Sequence, residues 1–337
     1  MDLKRTGDLV SLPVIYFSLL KNVIKQKKFI RRNILKELEA FRDSDNEITE
    51  VDLKKITSYY ALGVPAILGE SLAVLRGKPL KERERYCLTY LGGISGLLDD
   101  LFDDPLKKVD HLEEFILHPE NLVPLNKHEQ LLLHMYIKGL SYSTHPGKLK
   151  AQAQEVFNAQ QKSIQQREAT LSPETIAELT RYKGGTSFNF YRLCLEDLPT
   201  PQEEEMLFHL GGLMQLGNDI FDVWEDFKEE TQTMATTCTS IAGLREDFKK
   251  ELDLFYNLAF ETPYPRKQKA RFLKITILAL ARVFVCLDQF EALERSSGNR
   301  CSIENYSRKQ LICDMQKPAN QFKAIKYYLK NSADLRF

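Results

Sequence analysis

The chain has 337 residues, of which 43% are hydrophobic and 28% are charged, so its composition is that of a soluble globular protein with a sizeable core. Lysine plus arginine and aspartate plus glutamate both number 47, and this balance argues against nucleic acid as a partner, because nucleic-acid binding generally needs a basic excess. None of the cysteines are spaced C-x-x-C, so we predict neither a zinc motif nor a redox motif, and we expect reduced thiols in a cytoplasmic protein.

The N-terminal segment contains an apolar run over residues 9–20 that follows Lys4 and Arg5. It lacks a small-residue cleavage site and continues into four lysines over residues 21–28. This pattern predicts an amphipathic helix rather than a signal peptide, and it leaves open a peripheral contact with a membrane. The apolar run 275–287 is shorter than the roughly 20 residues that a membrane-spanning helix needs.

Hydrophobic periodicity predicts an all-helical chain, and no Asn-Gly or Asp-Gly pair supplies a hairpin turn. The predicted helices are 9–42, 51–76, 81–104, 110–118, 126–142, 148–170, 173–197, 201–229, 239–259, 266–295 and 302–330. Ser172-Pro173 and Thr200-Pro201 each place a capping residue before a proline at a helix start. We expect one large antiparallel helical bundle over residues 1–337, with 1–45 as an N-terminal extension. Two helical domains are the alternative, disfavoured because no segment resembles a linker.

The predicted helix 81–104 ends in a cluster of carboxylates. Its members are Asp99, Asp100, Asp103 and Asp104. Like charges one turn apart cost about 0.2–0.5 kcal/mol per pair, and the negative end of the helix dipole adds to that cost. A bound divalent cation would reverse the sign of these terms. The alternative is a solvated helix end that Lys107 and Lys108 neutralise.

A second polar cluster is predicted on the helix 201–229, where the sequence reads Gln-Leu-Gly-Asn-Asp-Ile-Phe-Asp-Val-Trp-Glu-Asp over 215–226. Helical spacing places its polar side chains on one broad face. They are Gln215, Asn218, Asp222, Glu225 and Asp226. Such an acidic stripe on an otherwise apolar helix is costly unless it binds metal. The alternative is a structural ion-pair network with neighbouring lysines and arginines.

These two motifs together resemble those of the class I isoprenoid (terpene) synthase superfamily. Asp99-Asp100-Leu-Phe-Asp103 resembles its DDxxD motif. The second cluster resembles the Q-x-x-N-x-x-x-D-x-x-E-D motif of the squalene/phytoene synthase branch, and also the cyclase metal triad, as Asn218, Asp222 and Asp226. Two departures matter. The G-K-x-x-R-P site of chain-elongating synthases is missing, and aspartates replace the cyclase Ser/Thr and Glu ligands, which leaves the third metal's ligation open.

The resemblance implies an antiparallel α-bundle around a deep apolar cavity, with the two clusters facing each other across its mouth. It also implies three Mg²⁺ ions, with Mn²⁺ as an alternative, that bridge the clusters to the diphosphate of a prenyl substrate. The implied metal ligands are Asp99, Asp100, Asp103, Asn218, Asp222 and Asp226, and the secondary acids are Asp104, Asp219 and Glu225.

Basic and aromatic residues complete the predicted site. Arg181 and Lys183 precede Gly184-Gly185, which predicts a helix break whose backbone N–H groups approach a phosphate; a packing kink is the alternative. Near Tyr306, two further cations resemble the pair that caps the diphosphate in closed cyclases, with a solvated charged helix as the alternative. The predicted diphosphate ligands are Arg181, Lys183, Lys228, Arg308 and Lys309. The predicted cavity aromatics are Phe102, Phe188, Phe221 and Trp224.

The leading hypothesis is a class I terpene synthase that ionises a prenyl diphosphate, cyclises and deprotonates the resulting cation, and releases diphosphate. A head-to-head synthase of the squalene/phytoene type is the second hypothesis, favoured by the Gln215 to Asp226 pattern. A non-catalytic helical binding protein that retains the fold is the third. The predicted partner is the prenyl diphosphate and not nucleic acid, and the sequence leaves open whether the protein is a homodimer.

Overall fold

The computed structural model of the protein describes residues 3–42, 48–102, 109–168, 170–298, 301–333 and 335. These residues form helices and connecting loops, with no β-strand among them, which confirms the all-α prediction. The α-helices of the described residues are numbered in chain order. They are α1 (Leu3–Asn33), α2 (Leu35–Glu39), α3 (Glu50–Lys55), α4 (Ala61–Gly63), α5 (Glu70–Arg76), α6 (Glu82–Phe102), α7 (Val109–Leu117), α8 (Lys127–Tyr142), α9 (Pro146–Ser163), α10 (Gln165–Glu168), α11 (Pro173–Arg192), α12 (Pro201–Phe221), α13 (Val223–Lys228), α14 (Ile241–Glu261), α15 (Arg266–Ser296), α16 (Arg308–Leu311) and α17 (Pro318–Ala333).

The chain divides into two compact units. The N-terminal unit comprises Pro13–Gln160 and Asn189–Pro199, and the C-terminal unit comprises Met1–Leu12, Gln161–Phe188 and Thr200–Phe337. The expectation of one bundle enclosing an apolar cavity stays a prediction.

The N-terminal unit is built around α6, which packs against α8 and against the helical segment 50–69. A buried ion pair connects α5 to α6, where Arg76 Nη1 lies 2.8 Å from Glu84 Oε1 and both side chains are almost fully buried. A second carboxylate, Asp197, also contacts Arg76. A buried charge pair with this many hydrogen bonds is costly to break on one side only, so it ties these elements together.

The C-terminal unit is a set of long helices in which α14 packs against α12 and α15, and α17 packs against α15. The two predicted capping residues lie directly before α12 and α11. Thr200 accepts a hydrogen bond from the backbone N–H of Glu203 at 3.2 Å, and Ser172 accepts one from Thr175 at 3.2 Å. Both caps satisfy donors that a helix start would otherwise leave unpaired, so the two predicted starts are confirmed.

Several predicted helices are less regular than their periodicity indicated, and 9–42 and 148–170 are each divided into two helices. The helix predicted over 302–330 is instead a 3₁₀ turn at Ile303–Asn305, the short α16 and then α17. In the segment 50–76, π-helical turns at Ile56–Tyr60 and Val64–Gly69 interrupt the α-helix. Pro65 lies within the second of these, and its missing N–H explains a wider turn there.

One helical segment of the described residues, Glu50–Arg76, is long and apolar enough to cross a membrane. Its most apolar window is 44% buried inside the protein. A single segment of this kind is weak evidence for a membrane span.

Candidate metal and diphosphate site

The second acidic cluster lies where α12 ends and α13 begins. The backbone leaves α-helical geometry at Asp222, with φ −96° and ψ 12°. Two backbone hydrogen bonds, from Asp222 N to Asn218 O and from Asp226 N to Asp222 O, are both 2.9 Å long and continue across the bend. The bend therefore divides the predicted helix 201–229 in two, while these three residues keep a helical spacing.

Asn218 and Asp222 form the outer edge of the cluster. The exposed Asn218 donates a hydrogen bond from Nδ2 to Asp222 Oδ2 at 2.9 Å. Asp222 is half-buried, and burial followed by the negative charge of Glu225 raises the pKa of its carboxyl group, while the bond from Asn218 lowers it. The amide therefore holds the carboxylate in place without neutralising it.

Asp219 lies on the buried side of the cluster. Gln215 Nε2 donates to its Oδ1 at 2.8 Å, and Thr180 Oγ1 on α11 donates to its Oδ2 at 3.3 Å. Burial raises the pKa of Asp219 to about 6, although both hydrogen bonds and the positive charge of Lys183 oppose the shift. The group predicted as a secondary acid is thus the most buried carboxylate of the motif.

Asp226 is the least satisfied member of the cluster. Its Oδ2 is buried and has no hydrogen-bond partner in the part of the protein that the structure describes. Burial, followed by the negative charges of Asp219 and Asp222, raises the pKa of Asp226 to about 7, and the positive charge of Lys183 only partly opposes this. A buried, ionised carboxylate oxygen without a donor is energetically unfavourable, and either a proton or an added cation would relieve that cost.

The chemistry of Asp222 and Asp226 is compatible with a magnesium ion that takes its other ligands from water and substrate. Within the described ranges, no three His, Cys, Asp or Glu side chains are grouped closely enough to hold a metal ion. Magnesium is usually bound through one or two carboxylates together with water and substrate phosphate oxygens. Asp222 and Asp226 offer two such carboxylates, and the orphaned oxygen of Asp226 is consistent with an ion there.

The predicted helix break at Gly184-Gly185 is wrong. Helix α11 runs without interruption through both glycines, so their N–H groups lie within a continuous helix. The glycines instead allow α11 to cross α12 closely, since a Cβ atom on Gly184 would lie 2.1 Å from the carbonyl oxygen of Gly211. The glycines therefore serve close helix packing, as the alternative proposed, within a helix that continues through them.

The two predicted cations on α11 have different surroundings. Arg181 Nη2 lies 2.8 Å from Glu251 Oε1 on α14, and His209 Nδ1 is 3.6 Å from the other oxygen of that carboxylate. His209 and Arg181 together lower the pKa of Glu251 to about 2. Lys183, by contrast, acts electrostatically on Asp219 and Asp226. Lys183 is therefore the cation of this pair that belongs to the acidic cluster.

The C-terminal segment brings one further predicted cation to the cluster. Arg308, the first residue of α16, places Nη2 3.2 Å from Glu225 Oε1, and both side chains are exposed. Lys309 beside it is also exposed. The exposed pair contributes little to stability, so Arg308 can exchange Glu225 for another anion at low cost.

The predicted aromatic residues near the motif are partly exposed. The guanidinium of Arg282 lies 5.6 Å from the ring centroid of Phe221, and Lys228 Nζ lies 4.8 Å from that of Trp224. Lys228 is therefore stacked on the motif's tryptophan in this structure. Phe188 on α11 is also partly exposed.

The first acidic cluster falls mainly beyond what the structure describes. Asp103 and Asp104 lie outside the described residues, and the side chains of Asp99, Asp100 and Phe102 in the last turns of α6 also lie outside them. Their predicted roles as ligands and cavity wall, and the juxtaposition of the two clusters, stay predictions.

Thr180 and Arg282 contact the motif but were not predicted as site residues. Thr180 precedes Lys183 by three positions, so it shares a helix face with a cation that was predicted. That spacing is a signal that could have identified it. Arg282 is more than fifty residues away in sequence from Phe221, and no local pattern indicates their contact.

Neither a scan of family models nor a search of curated proteins finds a match to this chain.

Proposed function

We propose that the chain is a magnesium-dependent class I terpene synthase that ionises a prenyl diphosphate. The observation that carries the proposal is the buried, unpartnered oxygen of Asp226 beside Asp219 and Asp222. Three neighbouring carboxylates with one cation acting on them are costly when ionised, and a divalent ion supplies the missing positive charge. The match of these residues to the second superfamily motif gives the cluster its chemical assignment.

Asp222 and Asp226 would hold the ion, and the side-chain oxygen of Asn218 would complete the set after its amide rotates away from Asp222. Magnesium, when bound, neutralises negative charge that develops on the leaving diphosphate. Arg308 and Lys183 donate charge-assisted hydrogen bonds to the same oxygens. The positions of both cations at the cluster support this role.

The prenyl chain would lie along apolar and aromatic side chains. Phe188, Phe221 and Trp224 are partly exposed, so their rings can contact a ligand. An aromatic face stabilises a nearby cation by about 0.5–2 kcal/mol, which favours the allylic cation that ionisation produces. Exclusion of water by these side chains protects that cation until a proton is lost.

A head-to-head synthase of the squalene/phytoene type is the second candidate. Gln215 favours it, because that branch carries glutamine at this position of its motif, and here Gln215 fixes Asp219 by a 2.8 Å hydrogen bond. Both candidates release diphosphate from the same kind of substrate. They differ in the number of substrate molecules from which each product is built.

Product analysis with prenyl diphosphates of ten to twenty-five carbons and Mg²⁺ tests the proposal. We expect a hydrocarbon built from one substrate molecule, and a product built from two substrate molecules would favour the head-to-head reaction instead. Asp226→Asn should abolish the product, whereas Asp253→Asn, an exposed carboxylate on α14, should not. A folded protein that yields no product from any substrate supports the non-catalytic alternative.

A further inference from the structure

Helix α1 has one packed face and one outward face. The packed face consists of residues that are buried or half-buried at helical spacing, namely Ile15, Leu19, Val23, Gln26 and Ile30. Gln26 anchors this face, since its Nε2 donates to Ala61 O at 2.8 Å and to Thr89 Oγ1 at 2.9 Å. The helix is therefore held to the N-terminal unit in a fixed rotation about its axis.

The outward face of α1 is apolar where a solvated helix would be polar. It presents Val14, Phe17, Leu20 and Ile24. Phe17 is 72% exposed and Val14 is 67% exposed. Large apolar side chains that lie together on one exposed face indicate an interaction surface rather than scattered surface residues.

The same stretch carries a strong local positive charge. Residues 13–33 contain six basic residues and no acidic residue, in a chain whose net charge is zero. They are Lys21, Lys25, Lys27, Lys28, Arg31 and Arg32. Lys21 follows Phe17 by four positions and Lys28 follows Ile24 by four, so both lysines lie on the same side of the helix as the exposed apolar residues. Lys25 pairs with Glu70 at 3.4 Å, but it is still 55% exposed.

We propose that the outward face of α1 binds the surface of an anionic lipid bilayer, with the helix lying parallel to that surface. The apolar side chains would insert at the headgroup boundary, and the lysines and arginines would contact anionic headgroups. The apolar part of this helix is too short to span a bilayer. A second copy of the chain is a poorer partner, because pairing this face with itself would bring two strongly positive stretches together.

This inference does not depend on the proposed function, because it uses no residue of the acidic cluster. It assigns a location for the protein at an anionic membrane surface. The binding should weaken as salt is raised, since the headgroup attraction is screened over about 8–10 Å at physiological ionic strength.

Flotation of the full-length protein with lipid vesicles tests the proposal. The probes are vesicles of phosphatidylcholine alone and of phosphatidylcholine mixed with phosphatidylglycerol. We expect binding to the mixed vesicles, at least about tenfold weaker binding to the neutral ones, and a similar loss for Lys21→Gln/Lys28→Gln. Lys249→Gln/Lys267→Gln removes two exposed cations from the C-terminal unit and should bind as the unaltered protein does.

The apolar contribution has its own matched variants. Phe17→Ser/Leu20→Ser should reduce vesicle binding at least about tenfold, because two large apolar side chains no longer insert. Leu254→Ser/Phe322→Ser removes two exposed apolar side chains elsewhere and should leave the binding unchanged. Circular dichroism checks that each variant is folded. Absence of binding to anionic vesicles would overturn the proposal, as would a dimer in solution that Phe17→Ser/Leu20→Ser dissociates without any change in vesicle binding.

Discussion

Asn218 and Asp222 are joined by a hydrogen bond of 2.9 Å from the amide Nδ2 to the carboxylate Oδ2, across the bend between α12 and α13. The bond orients the carboxylate of Asp222, whose pKa is nevertheless raised by burial and by the negative charge of Glu225. The carboxylate is thus held in a fixed orientation while its ionised form stays electrostatically unfavourable.

Removing the charge of Asp226 should stabilise the metal-free protein at alkaline pH. The pKa of Asp226 is raised to about 7 in the folded state, from an ordinary value of 3.8. Between these two values the unfolded chain is ionised while the folded protein is still protonated, so stability falls as pH rises and is lowest above pH 7. We expect Asp226→Asn to add about 1–2 kcal/mol at pH 8, after allowance for solvent screening, and little below pH 4.

Urea unfolding in the presence of a chelator measures this difference across the pH range. Asp253→Asn is the control, because Asp253 is an exposed carboxylate on α14. A stability gain of Asp226→Asn that does not grow between pH 4 and pH 7 would contradict the assigned burial of this carboxylate.

Glu251 should behave in the opposite way. His209 and Arg181 lower its pKa to about 2 from an ordinary 4.5, so its stabilisation is present above pH 4.5 and is lost as pH falls towards 2. We expect Glu251→Gln to lose about 1–2 kcal/mol at pH 7 and progressively less as the pH is lowered below 4.5. Urea unfolding of this variant and of Glu246→Gln, an exposed control, measures the difference; equal stabilities of the two variants at pH 7 would count against the Arg181 ion pair.

The close crossing of α11 and α12 predicts opposite effects for two glycine substitutions. Gly184→Ala should destabilise the protein by about 2–3 kcal/mol, because the added Cβ would lie 2.1 Å from Gly211 O. Gly63→Ala, in helical backbone with open space around it, should instead stabilise by about 0.5–1 kcal/mol. Thermal unfolding of both variants provides the comparison, and a neutral Gly184→Ala variant would show that the helices are further apart.

Arg308 should affect ligand binding and not stability. Its ion pair with Glu225 is exposed, so Arg308→Gln should change the free energy of unfolding by less than about 0.5 kcal/mol. Loss of a charge-assisted bond should weaken the Mg²⁺-dependent binding of inorganic diphosphate roughly tenfold. Calorimetry measures that affinity, with Arg295→Gln as an exposed control whose partner is Glu291. Equal affinities of the two variants would remove Arg308 from the diphosphate site.

Much of the helical layout could be predicted from sequence, because apolar periodicity and helix starts are local signals. Ser172-Pro173 and Thr200-Pro201 are examples, since a cap and a proline specify a start within a few residues. The end at Asp222 was missed because the apolar pattern continues through it and only the backbone angles change. The gap before α17 could have been predicted, since Pro318 is the first residue of that helix and a proline there indicates a helix start.

The positions of Asn218, Asp222 and Asp226 follow from their local spacing, which is helical even across the bend between α12 and α13. Their role as metal ligands stays a prediction. Gly184-Gly185 was misinterpreted, because glycine permits both a broken helix and a close helix crossing, and the partner that decides between them is Gly211, distant in sequence. The spacing of Thr180 from Lys183 could have identified Thr180, but its hydrogen bond to Asp219 joins two helices and has no local signal in the sequence.

Release of inorganic diphosphate from farnesyl or geranylgeranyl diphosphate, followed with and without Mg²⁺, tests the central claim most directly. The account predicts release that requires Mg²⁺, that Asp222→Asn reduces at least about a hundredfold, and that Asp253→Asn leaves unchanged. Release that continues in excess chelator, or full activity in a folded Asp222→Asn variant, would contradict it.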